Sequence, residues 1–365
     1  MGIWIFILVA VLAATGLGLV YMTTAIGRFS LIKKAAGERG WLRRLVSFGI
    51  IAVVFAFFSI VMSFVNAVMI FLHVLLFWLI FDLIGLIVKK FAKKSFKLYW
   101  QGWCAMAASV VYLSIGYYLC NNVWVTTYQL TTDKNIDHLH VVMFADSHIC
   151  ATFDGEGFAE HVKDINDEHP DIVLIPGDYV DDGTDRDSMI RACEALGTID
   201  AKYGVWFAYG NHDKGYYGNS RGFSSEELEA ELIKNGVHIL EDEYELIDDK
   251  FYIVGRADKS FEDRMEMSEL IKDIDPEKYI LVMDHQPADY DAEAATEADL
   301  VVSGHTHGGQ FFPVTHLGVL MRVNDRTYGY ENRNGTDFIV TSGIADWEIK
   351  FKTGTKSEYV IIDIN

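Results

Sequence analysis

Five short polar blocks in this 365-residue chain carry side chains able to bind a cation, and each stands at the end of an apolar run. Ala145 leads into Asp146-Ser147-His148, and Ile175-Pro176 leads into Gly177-Asp178. Ala208-Tyr209 precedes Gly210-Asn211-His212-Asp213, Val282-Met283 precedes Asp284-His285, and Val302-Ser303 precedes Gly304-His305-Thr306-His307. In an open α/β sheet the carboxyl ends of neighbouring strands border one crevice, so residues far apart in sequence converge there. Imidazole, carboxylate and carboxamide donors without thiolate suit a borderline or fairly hard divalent or trivalent ion such as Mn, Fe or Zn. The four cysteines, at positions 104, 120, 150 and 193, have no partner at the short spacing of a structural zinc site. Cys150 and Cys193 are expected to be two buried thiols rather than a disulfide.

The elements that must position these blocks alternate as short apolar runs and amphipathic stretches. Residues 141–145, 172–176 and 205–209 read as buried strands, and residues 156–168 and 186–196 as helices between them. Ser224-Ser225-Glu226-Glu227 reads as the capped start of a helix running to Lys234. Later strands, around residues 244–247, 251–255, 337–341 and 358–364, are less regularly interleaved and are expected to add antiparallel pairs. The globular domain is expected over residues 138–365, after a polar, Thr-rich linker at residues 126–137.

In their order and spacing, the five blocks together with Gly308-Gly309-Gln310 resemble the calcineurin-like metallophosphoesterases over roughly residues 139–364. The layout resembles the family's membrane-anchored bacterial branch, with a C-terminal catalytic domain and a last block ending His-Gly-Gly-Gln. The resemblance implies a four-layer α/β/β/α sandwich. It also implies that Asp146, His148 and His307 hold one metal, that Asn211, His285 and His305 hold the other, and that Asp178 bridges them. His212 would be the catalytic histidine that meets the phosphoryl oxygen or leaving group, and Asp213 would orient it. Two cations about 3.5–4 Å apart make hydroxide available near neutral pH and clamp phosphoryl oxygens for in-line attack. The sequence departs from that branch at Lys350 to Glu358, where an Arg before a Gly-x-x-Pro-Glu segment is often found.

Charge divides the chain. The first 120 residues hold 11 basic and two acidic side chains, a formal +9, whereas the remaining 245 hold 20 basic and 49 acidic, a formal −29. A nucleic-acid binder needs Lys and Arg on its soluble face, so nucleic acid is not an expected partner. Residues 1–125 read as a transmembrane region with helices at about 3–22, 45–63, 67–88 and 102–125. The first is read as a span rather than a cleaved signal peptide, because no basic residue precedes Arg28. Lys and Arg cluster at residues 28–44 and 89–97, which places both loops in the cytoplasm and the acidic domain outside. Asp82 and His73 are polar residues inside the third span; an intramembrane carboxylate is a functional candidate, but an interhelical hydrogen bond, or snorkelling to the cytoplasmic end, is the expected reading.

These readings converge on a membrane-anchored, dinuclear metal-dependent phosphoesterase that hydrolyses phosphate mono- or diesters by metal-activated hydroxide. A substrate at that surface is expected: a phospholipid, a lipid-linked pyrophosphate or a phosphodiester of the cell envelope. The alternative is a membrane sensor or scaffold that binds a phosphorylated ligand without turnover; the presence of both Asp178 and His212 weighs against it. A transporter is disfavoured because the spans hold a single acidic residue.

Overall fold

The computed structural model describes residues 2–92, 98–215 and 221–365. It divides into two compact units, Met1–Gly116 and Tyr117–Asn365.

The first unit is helical: α1 (Gly2–Ile26), α2 (Ser30–Ala36), α3 (Gly40–Val61), α4 (Phe64–Ala92) and most of α5 (Trp100–Asn121). Four of these helices are long and apolar enough to cross a membrane, with candidate spans at Ile7–Ile26, Gly40–Val61, Phe64–Phe91 and Trp100–Asn121. The break between α3 and α4 falls at Met62-Ser63, where the Ser63 hydroxyl accepts from the amide and carboxamide of Asn66. Asp82 is bound into the helical unit. Its Oδ2 accepts from Tyr21 (2.6 Å) and Arg28 (2.5 Å), and its Oδ1 accepts from Tyr99 (2.9 Å). The interhelical role expected of Asp82 is therefore present. His73 bonds the Met69 carbonyl one turn away on its own helix, and its ring lies 6.0 Å from that of Tyr112 on α5. Of the basic cluster at 89–97, Lys93, Lys94 and Lys97 lie outside the described residues.

The second unit is built on twelve strands in two sheets of six. In chain order they are β1 (Val123–Leu130), β2 (Leu139–Met143), β3 (Ile172–Pro176), β4 (Val205–Ala208), β5 (Val237–Leu240), β6 (Glu243–Ile247), β7 (Phe251–Gly255), β8 (Tyr279–Met283), β9 (Leu300–Ser303), β10 (Gly329–Arg333), β11 (Thr336–Val340) and β12 (Ser357–Ile364). The first sheet has the order β1-β12-β2-β3-β4-β5 and the second β10-β11-β9-β8-β7-β6. Three helices, α6 (Gly155–Asp167), α7 (Arg186–Leu196) and α8 (Ser225–Lys234), cover the outer face of the first sheet. The short α9 (Met267–Leu270) and α10 (Tyr290–Glu293) cover the second, and α11 (Leu317–Leu320) follows β9.

The layers follow from the side chains. β3 and β8 are buried at every position and need cover on both faces. One face of each sheet meets the other across a core that includes Met143, Leu174, Trp206, Leu281, Val302 and Ile362. α6 turns Phe158, Ala159, Val162 and Ile165 onto the first sheet, and its start is fixed by Asp154, which accepts from the Gly157 amide. The expected capped start of α8 is present as a full capping box between Ser224 and Glu227. The α/β/β/α sandwich is thus the observed architecture. The later strands are mixed: β6–β7, β10–β11 and β2–β12 are antiparallel, but β7–β8 and β9–β11 are parallel.

One boundary differs from the sequence reading. Residues 126–130 of the expected linker belong to β1, which pairs in parallel with β12 over eight residues, so the domain begins well before His138. The fourth helix correspondingly ends at Asn121, and Trp124 lies on the strand rather than at the end of the span. Val-Trp-Val-Thr-Thr-Tyr is β-branched and aromatic, a composition that fits a pleated edge strand better than a solvated tether. All four cysteines are free, Cys193 buried and Cys150 only partly so.

Candidate metal centre

The five blocks sit where the strands end. β2, β3 and β4 are parallel neighbours in one sheet, as are β8 and β9 in the other, so their carboxyl ends open on the same side of each sheet. Two hydrogen bonds join the ends across the sandwich: the His305 amide donates to Asp146 Oδ1 (2.9 Å), and His285 Nδ1 lies 2.8 Å from the Pro176 carbonyl.

The side chains collect into two trios. Donor atoms of Asp146, His148 and His307 lie within 4.8 Å of one another, and so do those of Asp178, His285 and His305. Asn211 joins the second trio through its Oδ1, 3.2 Å from His285 Nε2. Asp178 stands between the two groups, with the same Oδ2 oxygen 3.1 Å from His285 Nε2 and 3.7 Å from His148 Nε2. All seven side chains expected at a metal are therefore brought together. The His212 ring lies edge-on to His148 at 5.1 Å, and its amide donates to Asp178 Oδ1.

This convergence strains the backbone. Asp146 (φ 55°), His148 (34°), Asp178 (53°), His305 (70°) and His307 (47°) all adopt left-handed conformations that side chains other than glycine disfavour. Gly210 supplies the close approach the site needs: a Cβ there would lie 2.3 Å from Asp178 Oδ1.

The chemistry of the donors fits a pair of cations. Asp146 Oδ2 and His148 Nε2 are buried and, among the described residues, have no hydrogen-bond partner. Burial pushes the His305 imidazole down to about 4 and holds His307 well below its ordinary value, so both offer a neutral lone pair near pH 7. At Asp178 burial works in the opposite direction, but the His285 and His148 imidazoles outweigh it and hold the carboxyl well below the usual range. Asp146 and Asp178 are both buried, and buried carboxylates call for positive charge beside them.

Asp213 is tied into the backbone around it. Its carboxylate is fully buried and accepts from the backbone amides of Asp178, Tyr179, Val180 and Gly210, at 2.7–3.1 Å. With two amides on each oxygen, it braces the loop that carries Asp178. Sequence reasoning missed two supporting carboxylates. Asp181 Oδ2 is 3.3 Å from His148 Nδ1, and Asp346 Oδ1 is 3.4 Å from His307 Nδ1. Each carboxylate lies at ion-pair distance from an imidazole nitrogen, beside the ring rather than in hydrogen-bond geometry with it. Asp181 follows Asp178 at a spacing of three, a faint signal; Asp346 lies in no block at all.

Two stacked mixed sheets thus lie between helices, with carboxylate and imidazole donors gathered at parallel strand ends. Residues 139–309 match the model of the calcineurin-like phosphoesterase family, and the C-terminal unit carries a domain of that family. The chain is 26% identical to an uncharacterized metallophosphoesterase of Campylobacter jejuni over 298 residues, 78% of this chain and 76% of that protein. It is 28% identical over 252 residues to a transmembrane protein with metallophosphoesterase domain of Danio rerio, 62% of this chain and 53% of that one. It therefore spans only about half the length of the latter. A solved dimetal phosphatase from Danio rerio is similar over 55% of this chain and 86% of its own, with 12% identity and a TM-score of 0.34.

Proposed function

We propose that the chain is a membrane-anchored phosphoesterase that hydrolyses phosphate mono- or diesters at a dinuclear metal centre, on the outer side of the membrane. The observation that carries this reading is the position of Asp178 Oδ2 within reach of both trios. Asp146, His148 and His307 would hold one ion, Asn211, His285 and His305 the other, and Asp178 both. When bound, the ions supply a nucleophilic oxygen near neutral pH and neutralise charge on the phosphoryl group.

The protein's own groups do the rest. Asn211, being neutral, limits the negative charge of the ligand set, which leaves more of the cations' field for an anionic substrate. Asp181 and Asp346, at ion-pair distance, favour one orientation of the His148 and His307 rings. His212, beside His148 and against the Trp347 ring at 5.3 Å, is placed to meet a phosphoryl oxygen or to give a proton to the leaving oxygen. With 49 acidic residues beyond position 120, the domain repels anions at long range, so attraction is local to the site.

The asymmetry of Lys and Arg along the spans supports the outer placement of the domain, and four candidate spans favour a substrate held at that surface, lipid-linked or part of the envelope. The test is hydrolysis by the full chain in detergent, loaded with Mn and offered model monoesters, diesters and phospholipids, beside Asp178→Asn. The expected result is turnover abolished in the variant; equal rates would remove the reading.

A further inference from the structure

The segment after His307 forms a surface to which hydrolysis assigns no role. Residues 312–323 expose Phe312, Val314, Leu317, Val319, Leu320 and Val323, with Phe312 63% and Leu320 80% accessible. α11, inside this segment, buries none of its residues. Single exposed apolar side chains are ordinary, but six within twelve residues make a patch that marks an interaction surface. Charge follows the same pattern. Residues 300–324 contain no Asp or Glu, although the 245 residues around them hold 49, and the patch carries Arg322 as its one permanent charge.

The patch is fixed to the rim of the candidate metal centre. The Phe312 amide donates to Thr353 Oγ1, the amides of Thr353 and Gly354 donate to the Gln310 carbonyl, and the Thr355 hydroxyl donates to the His307 carbonyl. The Phe311 ring packs on Phe351 at 5.5 Å.

Strand direction adds an independent observation. β2 runs toward Asp146, β12 is antiparallel to β2, and β1 is parallel to β12, with Val123 opposite Ser357. β1 therefore starts at the same end of the first sheet as the ligand-bearing loops. A single residue, Asn122, separates β1 from α5, and one residue reaches about 3.5 Å at most. The end of the sheet that bears the ligands is thus the end at which the chain leaves its last candidate span. Tyr117, Tyr118 and Trp124 are exposed there, as aromatic side chains are at a membrane–water boundary.

We infer that the loop of residues 311–323 inserts into the headgroup–acyl boundary of a lipid bilayer, so that the candidate metal centre opens along the lipid surface. Apolar side chains with one cation and no anion match a boundary that is oily beneath and polar above. A substrate taken at this rim carries its phosphate at headgroup depth and its apolar part in the bilayer. That last step rests on the proposed hydrolysis; the surface itself does not.

The test places an NBD fluorophore at Leu320→Cys in the full chain, reconstituted into phosphatidylcholine–phosphatidylglycerol vesicles. Asp200→Cys is the reference, because Asp200 is exposed and precedes the amino end of β4, away from the ligand loops. Labelled wild-type protein supplies the background from the native cysteines. Lipids bearing a doxyl group high on the acyl chain should quench the label at 320 severalfold more than the label at 200, and aqueous iodide should quench it less. Equal quenching of the two positions by each agent would overturn the inference. Turnover plays no part in this readout. A negative result beside intact hydrolysis removes the surface alone, and lipid quenching without hydrolysis removes the phosphoesterase reading alone.

Discussion

Asp213→Asn separates two accounts of one residue. The carboxylate accepts two backbone amides on each oxygen, those of Asp178 and Gly210 on Oδ2 and those of Tyr179 and Val180 on Oδ1. A carboxamide keeps one acceptor and turns an NH2 toward the other pair, leaving two buried donors unsatisfied. At about 1–3 kcal/mol for each such group, the variant loses about 2–6 kcal/mol of stability. A domain of this size shifts by about 2–4 °C in Tm per kcal/mol, so melting should fall by at least about 4 °C. Thermal unfolding of the full chain in detergent micelles, with chelator and again with excess Mn, measures this. The Asp178 loop also loosens, so the metal-free and metal-loaded proteins should both lose stability and Mn should bind more weakly. An unchanged Tm together with a reduced kcat and a displaced pH–rate profile would refute the reasoning, because that pattern belongs to a group acting on the His212 ring.

Other perturbations follow from the same geometry. Asp346→Asn takes the carboxylate from His307 Nδ1 and should weaken the ion held by that trio about 10–100-fold, read by competition with a chromogenic chelator, while the other ion is retained. Gly210→Ala drives a Cβ to 2.3 Å from Asp178 Oδ1 and 2.4 Å from its amide nitrogen; elemental analysis should find fewer than two ions per chain. Asp82→Asn removes the counter-charge of Arg28 and weakens the bonds from Tyr21 and Tyr99, and should destabilise the helical unit by about 1–2 kcal/mol in micelles without changing hydrolysis of a soluble ester.

The ligand blocks were legible because parallel strands deliver their last residues to one edge. Asp146, Asp178 and Asn211 follow adjacent strands of one sheet, and His285 and His305 follow adjacent strands of the other. An apolar run ending in a polar, metal-capable residue is a local signal for that placement. What was not legible depends on contacts between distant segments. β1 reads as a tether because Thr126, Thr127 and Gln129 sit in a polar, Thr-rich stretch, and its eight-residue pairing with β12, more than 230 positions away, secures it as a strand. Asp213 lies beside His212 in sequence, and nothing local shows that the turn after β4 directs its carboxylate back into the β3 loop. Asp346 reaches His307 from a segment with no regular structure and no recurring spacing.

The sharing of Asp178 between two ions is the claim on which the rest depends, and Mn titration of the full chain followed by electron paramagnetic resonance tests it most directly. The account predicts two bound Mn ions per chain with the signal of an exchange-coupled pair, and loss of that coupling in Asp178→Asn. A single ion, or two ions with uncoupled signals in the unaltered protein, would contradict it.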